Sequence, residues 1–364
     1  MNFECDEDQK MVRETVRRYA ADSLAPNAEA WDEHEQVPRA VFDELRDLGL
    51  LGLTLPAQAG GSGLDDHAAL LCIEELARYD ASTALSVVAH SVLVGNLAQT
   101  LGRDDLVADL ASGRLLGTWS MSDSPVELDR GESVVLDGAA RDLVQCRNAD
   151  VAVVFGRAEG GQRRAAIVEA DGVDLERTPN DGPLGCRAAD LGTWSIESVD
   201  IDESALAGGD VEDLDAVITR VHDRAVSFLG AVAVGIARGA LEEGLAYAND
   251  REQFGQPISR FQVTQFKLAD MTTRVDAARL SVLRSASDDA SAGRRARAAS
   301  LASDVALDVA DEAVQLHGGY GYTSEYPVER YLRDARALAS MLGGATRRAA
   351  TSTSELASHA SIFA

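Results

Sequence analysis

The feature that most constrains this chain is a double change of hydrophobic period. From Glu7 to about Gly113 apolar residues recur at helical intervals, interrupted by turn signals at Pro26, Pro38 and the loop from Pro56 to Gly63. Near Leu115 the period becomes strand-like, with β-rich runs at Val134–Leu136, Val151–Phe155, Ala165–Val168 and Thr193–Val199. Asp137-Gly138 and Gly160-Gly161 read as turns between them. From about Asp213 the helical period returns: Leu268, Met271, Val275 and Ala278 form one stripe, and Ala302, Val305, Ala306, Val309, Ala313 and Leu316 another. The expected fold is mostly α with a β middle domain, in three parts: residues 1–114 helical, 115–212 a compact all-β domain, and 213–364 a helical bundle. A chain of 364 residues exceeds one ordinary core, which agrees with such a division.

Two strings carry candidate chemistry. In REQFGQPISRFQVTQFKLADM, Arg251 precedes a Phe-Gly pair, and the chain turns through Pro257 into a helix. Guanidinium presents a rigid fork of donors that matches phosphate oxygens, so a held Arg251 suits a diphosphate. In QLHGGYGYTSEYPVERYLRDAR a helix ends in Gly318, Gly319 and Gly321, which suit a left-handed exit and let a ligand lie against bare backbone.

Together the two strings resemble the acyl-CoA dehydrogenase family. In that family an R-x-x-F-G segment and a Q-x-x-G-G segment bind the diphosphate and adenosine of FAD. The segments AVFDELRDLGLLGLTLPAQAGGSGLD and EELARYDASTALSVVAHS resemble its N-terminal domain, so the resemblance spans nearly the whole chain. It implies an N-terminal helical domain, a small β-barrel and a C-terminal four-helix bundle. It also implies FAD as cofactor, an acyl-CoA substrate, an electron-transfer flavoprotein as electron acceptor, and a tetramer. Carried over residue by residue, the FAD contacts fall on Arg251, Phe254, Gly255, Phe261, Gln262, Gln315, Leu316, His317, Gly318 and Gly319.

The chemistry implied is removal of an α-proton by a glutamate while a β-hydride passes to flavin N5, which needs both partners near contact distance. The glutamate usually follows R-D-A, in a sequence like Y-E-G-T. Here Leu342 holds that place, and no Asp or Glu occurs from Ala335 to Ser354. Some members carry it ten residues before the motif read here as Gly235-Ile236-Ala237, which falls on Ala225. Asp223 stands two residues away, roughly 200° around a helix, and serves only if that segment is irregular.

On the flavin-ring side, M-T-E-P-x-A-G-S-D reads MSDSPVELD from Met121, where Ser122 keeps a hydroxyl but Glu127 and Leu128 replace glycine and serine. The family's G-x-K-x-W-I-T-N reads GAARDLVQ, with Asp142 for the tryptophan and Val144 for the threonine. The nucleotide motifs are kept while ring and base motifs are eroded. Because the family shares each FAD across a subunit interface, the expected role is the base-lacking partner of a paralogous subunit in a heteromeric acyl-CoA dehydrogenase. Alternatives are an active homotetramer with a substitute base, and a non-catalytic acyl-CoA or flavin-binding scaffold.

A net charge of −26 repels nucleic acid and anionic membrane surfaces. Lys10 and Lys267 are the only lysines. So acidic and lysine-poor a surface suits a cytosol at molar salt, where the Debye length shrinks to about 3 Å; a halophilic, cytoplasmic protein is expected. The N-terminal MNFECDEDQK is acidic rather than signal-like, and no apolar run reaches the roughly eighteen residues a membrane helix needs. Cys5, Cys72, Cys146 and Cys186 show neither metal nor disulfide spacing. His90, among apolar residues, reads as a core histidine, and the Gly-rich loop before Gly63 as a plain helix connection.

Overall fold

A computed structural model describes residues 6–120, 126–130, 134–158, 163–171, 173–201, 206, 214–287 and 290–350. The first part holds α1 (Glu7–Tyr19), α2 (Ala28–His34), α3 (Arg39–Asp47), α4 (Asp66–Ala77), α5 (Ala81–Val87), α6 (Asn96–Thr100) and α7 (Asp104–Ala111). Next come β1 (Gly117–Trp119), β2 (Val126–Arg130), β3 (Val134–Leu143), β4 (Val151–Ala158), β5 (Arg163–Glu169), β6 (Leu175–Pro179) and β7 (Gly192–Ile201). The last part is α8 (Leu214–Asp250), a short hairpin of β8 (Glu252–Gln253) and β9 (Gln256–Pro257), then α9 (Gln262–Ser285), α10 (Ala292–His317) and α11 (Val328–Ala350).

Helix starts follow local chemistry. Asp6 accepts from the Gln9 amide at 2.8 Å while the Gln9 side chain accepts from the Asp6 amide, a reciprocal cap for α1. Asp65, Asp80 and Ser291 cap α4, α5 and α10 in the simpler one-way manner. The stripes on α9 and α10 are buried as their spacing predicts, except Leu316, which is only half-buried where α10 nears its end.

Strands β1 to β7 form one sheet in the order β1-β4-β2-β3-β7-β6, with β5 also on β4, and β8 pairs only with β9 among the described residues. Asp137-Gly138 is not a turn: β3 continues through it, paired with β2 on one side and β7 on the other. The β7 register slips between Leu136 and Gly138, and Gly138 takes the bulge with φ of 129°. Pairing on both edges outweighs the local Asp-Gly preference. The expected turn at Gly160-Gly161 lies outside the described residues.

A second correction concerns apolar length. Ala81–Thr100 and Leu214–Asp250 are long and apolar enough to cross a membrane, although 100% and 83% of their most apolar windows are buried inside the protein. Scanning for an unbroken run misses them because small polar residues such as Ser82, Thr83 and Ser227, all buried, interrupt the sequence without making it polar on average. Here these helices are core.

The sheet docks onto the bundle through the loop before β7. A Cβ on Gly185 would lie 2.2 Å from the Arg333 carbonyl oxygen, so only glycine permits this approach. Beside it the Cys186 amide donates to Asp334 Oδ1 at 2.6 Å. Arg333 is held by Asp32 and Glu329, each at 2.7 Å. Burial first, and the nearby Asp32 second among the raising influences, push the Asp334 carboxyl up to about 7.

Candidate functional site

The Arg251 segment is a tight hairpin whose two turn residues, Phe254 and Gly255, have φ of 53° and 78°. Both positions of such a turn require positive φ, which glycine accepts and phenylalanine tolerates poorly. The reversal therefore falls on Phe254-Gly255 rather than Pro257, which lies in β9. Backbone bonds fix the arginine at the base: its amide donates to the Tyr247 carbonyl and its carbonyl accepts from the Ile258 amide, both at 2.8 Å. The Phe254 ring is 92% exposed and meets Phe261 edge-on at 6.2 Å.

Opposite the hairpin, α10 ends at His317, and Gly318 leaves with φ of 60°. Apart from its chain neighbours, no atom of the described residues lies within 4 Å of where a Gly318 Cβ would stand, so this backbone is open to a ligand. Arg251, Ile258, Leu316, His317, Gly318 and Gly319 line a single open groove of about 430 Å³. Two motifs distant in sequence thus share one surface. Gln262 and Gln315 are exposed beside it, Phe261 caps α9, and none of these three lines the groove.

His317 is 2% exposed, stacked on Tyr247 at 4.1 Å and edge-on to Tyr326 at 5.0 Å. Its Nδ1 lies 2.8 Å from the Ala313 carbonyl, which only accepts, so Nδ1 carries the proton. Burial holds the imidazole below its ordinary pKa, against the opposing Ala313 bond, so it is neutral at pH 7. Nε2 is then an acceptor, buried and without a hydrogen bond among the described residues. An exposed guanidinium, bare glycine backbone and an aromatic wall with an unused acceptor fit a diphosphate joined to an adenosine. Tyr247 and Tyr326 were not foreseen; only folding brings them to His317.

The two positions where the resemblance places a base differ in kind from this groove. Leu342 on α11 is 1% exposed and Ala225 on α8 is 3% exposed, both within the main apolar core. Helix α8 runs unbroken from Leu214 to Asp250, so Asp223 lies about 200° around from Ala225. One turn before Ala225 on its own face is His222, also unforeseen. Its ring meets Trp119 at 5.0 Å and Phe155 at 6.1 Å, where α8 packs on β1 and β4. Met121 and Ser122 lie outside the described residues. Asp142, in the tryptophan's place, adopts φ of 54° and accepts from the Asn180 amide at 3.5 Å, while Val144 is buried.

Other expectations resolve simply. His90 is a satisfied core residue: Nδ1 accepts from the Gly117 amide at 2.9 Å and Nε2 donates to the Leu110 carbonyl at 3.1 Å. Burial lowers its pKa to about 4. Cys72, Cys146 and Cys186 are buried free thiols, and Cys5 lies outside the described residues. The Gly-rich loop is a short connection, with Gly60 and Gly63 at positive φ.

Comparison with known proteins identifies the family. Residues 6–112 match the family model for the acyl-CoA dehydrogenase N-terminal domain, and residues 220–350 that for the C-terminal domain. The probable acyl-CoA dehydrogenase YngJ of Bacillus subtilis is 34% identical over 359 residues, covering 92% of this chain and 94% of that protein. Benzylmalonyl-CoA dehydrogenase of Aromatoleum aromaticum is 32% identical, covering 95% and 96%. Among solved structures, butyryl-CoA dehydrogenase from Megasphaera elsdenii superposes with a TM-score of 0.89 at 27% identity, covering 96% of this chain and all of that one. With both terminal domains matched and relatives aligned almost end to end, this chain belongs to the acyl-CoA dehydrogenase family, whose cofactor is FAD.

Proposed function

We propose that the chain serves the α,β-dehydrogenation of an acyl-CoA thioester as the base-lacking subunit of a heteromeric tetramer. Its partner is a paralogous subunit with intact ring and base motifs. The observation that supports this most is the contrast between an open nucleotide groove around Arg251 and Gly318 and a sealed, apolar pair at Leu342 and Ala225. Arg251 would hold the diphosphate and Gly318-Gly319 would let the adenosine lie against backbone. FAD, when bound, supplies the hydride acceptor. A proton leaving the α-carbon finds no carboxylate at either position where the family keeps one. Electrons would leave through an electron-transfer flavoprotein; a chain from the structure of the electron transferring flavoprotein of Acidaminococcus fermentans superposes with a TM-score of 0.88 at 29% identity.

The test is to purify the chain alone and together with a paralogue carrying both intact motifs, then measure flavin content and turnover. Flavin and activity should appear only in the mixed assembly. Full loading and turnover by the lone chain would sink the proposal. The acidic, lysine-poor composition supports a cytoplasm at high salt, and dialysis to low salt should then unfold the protein.

His222 favours a second reading, an active homotetramer with a substitute base. It lies on the Ala225 face and packs against Trp119, two residues before Met121. On that reading, acyl-CoA bleaches flavin bound to the lone chain, and His222→Gln abolishes the bleaching while flavin stays bound.

A further inference from the structure

Arg330, in the first turn of α11, is 9% exposed. Its neighbours Glu329 and Arg333 are taken up with each other and with Asp32, and Arg330 makes no hydrogen bond or close ion pair with any described residue. None of its nitrogens is among the enclosed polar atoms that lack a partner, so the guanidinium is unpaired by protein but open to the space beside it. Its side chain borders a cavity of about 580 Å³ between α2, α8 and the α10–α11 connection.

Glu243 on α8 borders the same cavity, half-buried and likewise outside ion-pair distance of any described cation. Burial and the adjacent Glu242 raise its pKa, and the field of Arg330 opposes them. Two opposite charges thus share one cavity without touching. Tyr79 and Tyr326 supply aromatic wall, and exposed Glu29, Glu33 and Glu325 add negative charge around the edge. A simple anion would meet these carboxylates, and a simple cation would leave Arg330 unanswered. A molecule bearing both charges answers both: its carboxylate suits the guanidinium fork, and its ammonium suits Glu243 and the tyrosine faces.

We propose that this cavity is a binding site for a small zwitterion of the amino-acid or betaine class, held by Arg330 and Glu243. The site is separate from the nucleotide groove but adjoins it, since Glu325 borders both and Tyr326 packs edge-on against His317.

Calorimetric titration of the purified oligomer with glycine, glycine betaine and 4-aminobutyrate tests this, with acetate and methylammonium as single-charge controls. At least one zwitterion should bind saturably, one per chain, and the controls about tenfold or more weakly. Arg330→Gln and Glu243→Gln should each weaken binding by about tenfold, whereas Arg330→Lys, which keeps the charge without the fork, should weaken it less than Arg330→Gln does, with circular dichroism confirming the fold of each variant. The proposal is overturned if acetate binds as well as glycine, or if no zwitterion gives saturable heat. It is equally overturned if Arg330→Gln binds unchanged, or if that variant alters only the oligomeric state, which would assign the cavity to a subunit contact.

Discussion

The Arg251 groove and the Leu342 region obey different rules. Where the β8–β9 hairpin faces the α10 exit, residues are placed as folding alone would not place them: an aromatic at positive φ and 92% exposed, an exposed guanidinium, a buried imidazole with an unused acceptor. Along α11 at Leu342, facing a core that includes Ala225, every choice is the one a core would make. Residues that local physics does not explain concentrate at functional sites. By that criterion the Arg251 groove carries the marks of a functional site and the Leu342 region those of ordinary core.

The comparison can be broken most forcefully at Leu342. If it is ordinary core, Leu342→Ala leaves a cavity and lowers stability by about 2–5 kcal/mol in a urea melt, with flavin retention in the assembled enzyme unchanged. Leu342→Glu should be worse, because the carboxylate would be buried without a partner. Loss of flavin without loss of stability in Leu342→Ala would show that the Leu342 region still serves the cofactor.

Asp334 tests the same helix where the sheet docks on it. Its folded pKa of about 7 lies above the ordinary carboxyl value, so between roughly pH 4 and 7 the folded state holds a proton that the unfolded chain has released. This contribution is greatest below about pH 4, declines as pH rises to about 7, and is flat beyond. Asp334→Asn keeps an oxygen for the Cys186 amide and removes the titration. It should flatten the pH dependence of unfolding by ~2–4 kcal/mol across that window. An unchanged slope would mean that Asp334 titrates normally.

What the sequence made legible follows the distance over which each feature is written. The α10 stripe from Ala302 to Ala313 is local and could be read directly, whereas the turn after Arg251 is expected at Pro257 and falls on Phe254-Gly255, because the Glu252–Pro257 pairing closes the hairpin one step earlier. The Asp137-Gly138 signal is local too, but strands on either side overrode it. The Tyr247–His317–Tyr326 cluster, the His222–Trp119–Phe155 contact and the cavity shared by Arg330 and Glu243 join elements far apart in sequence. No periodicity or motif announces them, and they appear only once α8 is laid against its neighbours.

On the nucleotide side the expected effects on folding are small and those on cofactor larger. Arg251 is exposed and makes no ion pair among the described residues, so Arg251→Ala should leave stability within about 0.5 kcal/mol. Flavin retention of the mixed assembly should fall by about tenfold or more, since a charge-assisted contact to phosphate is lost. A large stability loss instead would make Arg251 a structural residue and erase the contrast.

The finest probe is Phe254. Asparagine accepts positive φ far better than phenylalanine at a turn of this geometry, so Phe254→Asn should stabilise the hairpin, by at most about 1 kcal/mol. The same substitution removes an exposed ring that packs edge-on against Phe261, and should weaken flavin retention in the assembled enzyme. Opposite signs in the two measurements are what a strained functional residue produces. If Phe254→Asn gains stability and keeps its flavin, the ring has no task, and the α10 exit is less distinct from the Leu342 region than its geometry suggests.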